Sequence, residues 1–157
     1  MAEALTVVGA VASTLQLMEY TIRVFDRMNH YVRQIEETPE MMRYVGFHLQ
    51  FFIQSLQRVQ DHIDYEHFNP QTSSMIKMFI DECYSQMILL DNIMTKITPV
   101  DGDSKMTRSR KAIESLKQEK SLEKIVSRIS GYVEKLLLFQ NTVISGTTMA
   151  STKLVLK

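Results

Sequence analysis

The 157-residue chain has no tryptophan, a single cysteine (Cys83), three prolines and five glycines. One cysteine excludes an internal disulfide framework and fits a reducing compartment. So few breakers leave room for long uninterrupted helices. Lys plus Arg equals Asp plus Glu, at 18 each, so the global basic excess expected of a nucleic-acid binder is missing. Catalytic signatures are missing too: there is no GxxxxGK[ST], GxGxxG, GxSxG, HExxH or ExxH. The last of these, with inward glutamates, is what a di-metal site in a helical bundle requires. His30, His48, His62 and His67 therefore read as solvated or capping residues, and His62 and His67, five apart, do not share a helix face. Asp61, Asp64 and Glu66 read as a solvated loop end, and Cys83 as a core thiol rather than a nucleophile. The expectation is a non-enzyme with no metal, no cofactor and no nucleic-acid partner.

What is present is helical periodicity and an uneven charge distribution. Residues 36–103 hold eleven acidic and four basic groups, while residues 105–128 hold eight basic and three acidic. From Ala4 to Met18 (ALTVVGAVASTLQLM) there is no charge at all. That is unusual for a surface helix, whose wet face is normally charged, and too short to span a bilayer unaided, which takes about 20 apolar residues. No Lys or Arg precedes it, and the apolar periodicity runs on into Tyr20, Ile22 and Phe25, so it reads as part of the fold rather than as a signal peptide.

The pattern predicts helices over 3–34, 40–66, 73–97 and 121–144. In the first, Val8, Val11, Leu15, Met18, Ile22, Phe25, Met28 and Val32 form the expected stripe. Thr38 and Pro39 are the expected N-cap and first residue of the second helix. There Met42, Val45, Leu49, Phe52, Leu56, Val59 and Ile63 step 3, 4, 3, 4, 3, 4, a bundle seam. Phe47, Phe51 and Ile53 widen it, which implies burial on more than one side. Ile76, Phe79, Cys83, Met87, Leu90, Met94 and Ile97 mark the third helix; Leu122, Ile125, Ile129, Val133 and Leu136 mark the last, with Ser121 as an imperfect cap. Leu49, Phe52, Leu56, Phe79, Cys83, Leu90, Ile129 and Leu136 are expected to be nearly buried. VDGDS (100–104) is a turn, and Lys105–Lys120 a short basic surface helix or arm. The expected fold is all-α: an up-down four-helix bundle over residues 1–146, with a short basic helix or arm before the last long helix. Residues 147–157 are expected to form a linker or tail.

Two segments are candidate functional sites. Lys105, Arg108, Arg110 and Lys111 could meet anionic lipid, or simply be solvated and offset the acidic helices. The charge-free segment offers Leu5, Val7, Val8, Gly9, Val11, Leu15 and Met18 for insertion into a membrane. Gly9 and Ser13, four apart, give a small-residue face that lets helices approach closely in lipid.

The opening MAEALTVVGAVASTLQLMEY resembles the start of fungal HeLo-like domains, the N-terminal domains of fungal NOD-like receptors (STAND NTPases). The helix after Thr38-Pro39, Cys83 in the third helix, and a basic segment running into SLEKIVSRISGYVEKLLLF (121–139) follow the family's order. Such domains are similar to the four-helix cell-death bundles of necroptosis pseudokinases and plant resistance proteins. The resemblance implies regulated cell death by membrane permeabilisation through the N-terminal helix, on self-association. It implies a C-terminal NTPase or amyloid-motif region as controller, cytoplasmic residence at rest, and the plasma membrane when active. Two other readings are a soluble signalling or oligomerisation adaptor with no membrane activity, and a plain structural cap for an NTPase.

Overall fold

A computed structural model describes the backbone of residues 2–65 and 70–155, and the side chains of Gly9, 12–61 and 74–141. The elements are α1 (Ala2–Gln34), α2 (Glu40–Tyr65), α3 (Pro70–Ile97), α4 (Lys105–Lys117) and α5 (Glu119–Val155). The fold is an all-α bundle of four long helices with α4 as an added surface helix.

In α2 the seam is as the spacing predicts: Met42, Val45, Leu49, Phe52, Leu56 and Val59 are all buried. The seventh predicted residue, Ile63, lies outside the described side chains. Burying each such side chain is worth about 1.5–3 kcal/mol, so this one face anchors α2. The widening does not occur. Phe47 and Phe51 stand exposed and Ile53 is half-buried, because α2 packs on α1 and α5 alone among the described residues. Its outer side has no neighbour to cover it.

The α1 stripe is rotated from the predicted one. The buried positions are Thr14, Leu17, Thr21, Val24, Met28 and Tyr31, a 3, 4, 3, 4, 3 seam. Leu15 and Ile22 are each 39% exposed, and Met18, Phe25 and Val32 flank the core half-buried. The change is one residue, about 100° around the helix. The reason is chemical. The Thr21 hydroxyl donates to the Leu17 carbonyl oxygen at 2.7 Å, so threonine enters an apolar seam with its polar group satisfied. A reading that counts only apolar residues passes over it.

Smaller corrections follow the same logic. Phe79 is half-buried and Ile80 takes its place in the α3 seam; Tyr132 rather than Val133 sits in the α5 seam. The remaining residues expected to be buried, including Cys83, Leu90, Ile129 and Leu136, are so. α2 begins at Glu40, with the Pro39 carbonyl accepting its first bond from Met42 N–H at 3.0 Å. α5 begins at Glu119, which leaves Ser121 inside the helix, and its backbone continues to Val155. The tail expected as a linker from 147 is thus helical through 155; it contains no proline to stop propagation.

Contacts fix the topology. Tyr20 meets Asp91, and Arg27, seven residues on, meets Asp91 and Thr95, so α1 and α3 run parallel. Phe52 faces Tyr132 while Gln140 reaches the Ser55 carbonyl, so α2 and α5 are also parallel. Arg128 meets Gln86 and Tyr132 meets Glu82, which makes α3 and α5 antiparallel. Around the bundle the order is α1–α2–α5–α3, with α2 and α3 on a diagonal. α1 and α2 approach closely at Gly46, where the Met28 sulfur lies 3.2 Å from the place a Cβ would occupy.

Candidate functional site

The turn before α4 is built by Asp103 and Gly102. Gly102 has φ +92°, a region that favours glycine. The Asp103 carboxylate accepts from Val100 N–H at 2.9 Å and pairs with Lys111 at 2.5 Å. Lys111 and then the Val100 N–H hold the Asp103 carboxyl below the usual carboxylate range. Ser104 caps α4, accepting from Thr107 N–H at 3.1 Å; from the sequence, 100–104 reads only as a turn. α4 buries no residue. It is tied to the bundle through Tyr31, whose hydroxyl lies 3.1 Å from that of Ser115.

The four predicted lipid-binding residues all lie on α4, and Lys105, Arg108 and Arg110 are exposed. Lys111 is occupied by Asp103. Arg108 lines a hollow of about 540 Å³ between α4 and the end of α1, with Glu36 and Glu37 in the same wall. Lys105 and Arg110 are exposed, and the Arg110 guanidinium lies 3.5 Å from the Met106 sulfur. Lys105 and Arg108 sit in the opening turns of α4, where the helix dipole disfavours cations, so helix stability does not explain them. Met106, Ile113 and Leu116 are exposed beside them, giving α4 an apolar as well as a basic outer surface.

Of the predicted insertion residues, Leu5, Val7, Val8 and Val11 lie in α1, but their side chains are outside the described residues. Leu15 is exposed and Met18 half-buried. No described atom lies within 4 Å of where a Cβ on Gly9 would stand. The second half of α1 is clamped. Tyr20 donates to Asp91 at 2.9 Å, and Arg27 bonds Asp91 and Thr95. Burial, then the hydrogen bond to Asp91, pushes the Tyr20 hydroxyl up to about 12. Tyr132 is likewise pushed up to about 12, by burial and by the charge of Glu82. Burial also pushes the Cys83 thiol up, which keeps it a protonated core group. Among the described residues no group of three His, Cys, Asp or Glu could hold a metal ion.

Two surface features escaped the sequence reading. Tyr44, Phe47 and Phe51 form an exposed aromatic row on α2, with Phe47 and Phe51 edge-to-face at 4.9 Å and His48 against Tyr44 at 4.5 Å. The exposure follows from bundle order, which sequence spacing does not give. Lys96, Lys124 and Arg128 line one hollow between α3 and α5; nothing in the sequence brings 96 next to 124.

Residues 11–136 match the family model SesA, described as the N-terminal domain on NACHT_NTPase and P-loop NTPases. The chain belongs to the SesA family. No curated protein and no solved structure matches it. The matched span takes in most of α1, all of α2 to α4, and α5 as far as Leu136. As a SesA domain, this helical bundle is an N-terminal signalling or effector domain of the STAND, NOD-like type. The expected NTPase region C-terminal to such a bundle agrees with where SesA domains sit.

Proposed function

We propose that this SesA domain acts as a HeLo-like membrane effector. At rest it is a closed cytoplasmic bundle. Clustering through a C-terminal region brings protomers together at the plasma membrane, where the first half of α1 leaves the bundle and permeabilises the lipid. One observation carries this reading: the charge-free stretch from Ala4 to Met18 ends just before the polar clamp from Tyr20 and Arg27 to Asp91 begins. The segment from Ala4 to Met18 brings no charge into hydrocarbon, and the second half of α1 anchors it. No helix among the described residues is long and apolar enough to cross a membrane, so insertion is interfacial or shared among protomers. The space around Gly9 is open among the described residues, which leaves its small face free to meet a second helix in lipid.

The exposed Tyr44–Phe47–Phe51 row favours a second reading, a soluble adaptor that docks on a partner protein. Exposed aromatic residues are common anchors of protein interfaces. Forced clustering of the full chain in cells separates the two. The effector reading expects membrane localisation and death. It also expects Gly9→Leu to block death without unfolding the bundle, and Asp91→Ala to lower the clustering needed. Clustering without membrane localisation or death overturns it in favour of the adaptor.

A further inference from the structure

Where α3 and α5 face each other the bundle is thinly packed and leaves a hollow of about 370 Å³. Its floor is apolar, from the buried Ile93 and Ile125, and its rim carries the exposed Leu89 with Lys96, Lys124 and Arg128. No carboxylate lines it. Among the described residues Lys96 and Lys124 make no hydrogen bond or ion pair. Arg128 is held by the hydrogen bond its guanidinium donates to the side-chain Oε1 of Gln86 at 2.9 Å. Lys124 and Arg128 are four apart on one helix, a like-charge spacing that destabilises the helix slightly. The fold thus gathers three cations on one rim and leaves two of them without a counter-charge.

We propose that this hollow is the headgroup site for a phosphomonoester lipid of the phosphatidate or phosphoinositide kind. The phosphate would take charge-assisted hydrogen bonds from the two lysines and a bidentate pair from Arg128. The glycerol and the first methylenes of the lipid cover Leu89 and the apolar floor, which a free phosphate would leave wet. Size argues the same way. Ligand pockets run from about 300 to 1,000 Å³, so this one suits a headgroup. It does not admit a partner helix, which is about 10 Å across with its side chains. The proposal deepens the membrane reading and rests on it: it moves the lipid-selective contact from α4 to the α3–α5 face.

The test uses the full chain with phosphatidylcholine vesicles, with and without phosphatidate. Lys96→Ala with Lys124→Ala should weaken co-sedimentation with the phosphatidate vesicles roughly tenfold or more. Arg43→Ala with Arg58→Ala removes two exposed charges from α2 and should change it little; equal losses in the two double variants overturn the proposal. Short-chain phosphatidate should shift the NMR signals of the Asn92 and Gln118 side-chain amides, which line the hollow. Inorganic phosphate at the same concentration should not; equal shifts overturn the lipid assignment. Unchanged phosphatidate binding by the lysine variant, in a domain that still kills on clustering, overturns this site alone. Failure of clustering to kill, with the lysine-dependent binding intact, overturns the effector reading and leaves the site standing.

Discussion

Replacing Leu17 and Leu15 in turn by alanine tests which face of α1 is the inner one. Leu17 is fully buried in the core, while Leu15, two residues before it, is 39% exposed. Leu17→Ala removes buried carbons and leaves a cavity, a change worth about 2–5 kcal/mol. Against a total stability of about 5–15 kcal/mol, that is a large fraction. In a domain of this size each kcal/mol moves the melting temperature by about 2–4 °C, so Leu17→Ala should lower it by roughly 5–20 °C. Leu15→Ala leaves no comparable cavity and should cost about 1 kcal/mol or less. Thr21→Val supplies a control. It keeps the shape and removes the hydroxyl that bonds the Leu17 carbonyl. With donor and acceptor both local, the effect should stay within about 1 kcal/mol. Urea unfolding followed by circular dichroism reads all three, as a shift of midpoint at constant slope. A Leu15→Ala loss equal to or larger than that of Leu17→Ala refutes the observed register and restores the stripe read from the sequence. The register matters for function, because it sets which side chains α1 exposes on leaving the bundle.

Two further outcomes follow from the buried titratable groups. Tyr20 and Tyr132 ionise near 12 when folded, against an ordinary value of 10.0. A raised pKa stabilises the fold below the unfolded value, and that contribution is lost as pH rises through the folded one. Ultraviolet titration should therefore show late ionisation of Tyr20 and Tyr132, the first of them absent in Tyr20→Phe, with stability falling between about pH 10 and 12; ordinary ionisation of Tyr20 in the folded domain refutes the Asp91 clamp. Cys83 should be inert to an aromatic disulfide reagent in the native domain and react fully in denaturant, since it is buried and its thiol is held protonated; rapid native modification contradicts its place in the core.

The sequence by itself determined the helix count, the α2 seam, the buried thiol and the break before α4. Those features rest on local physics. Apolar spacing at 3.6 residues and proline and glycine punctuation act within a few residues of one another. The tertiary structure alone decided the rest. The rotation of the α1 seam depended on Thr14 and Thr21 being accepted into a contact face once their hydroxyls were satisfied. The exposure of Phe47 and Phe51 depended on α2 having neighbours on only one side. The hollow that Arg108 shares with Glu36 and Glu37 came from the way α4 lies on the bundle. Lys96 lines one hollow with Lys124 and Arg128 because α3 and α5 face each other across the thin side. Which residues share a helix face is a property of spacing; which helix covers that face is a property of packing order, and no periodicity encodes it.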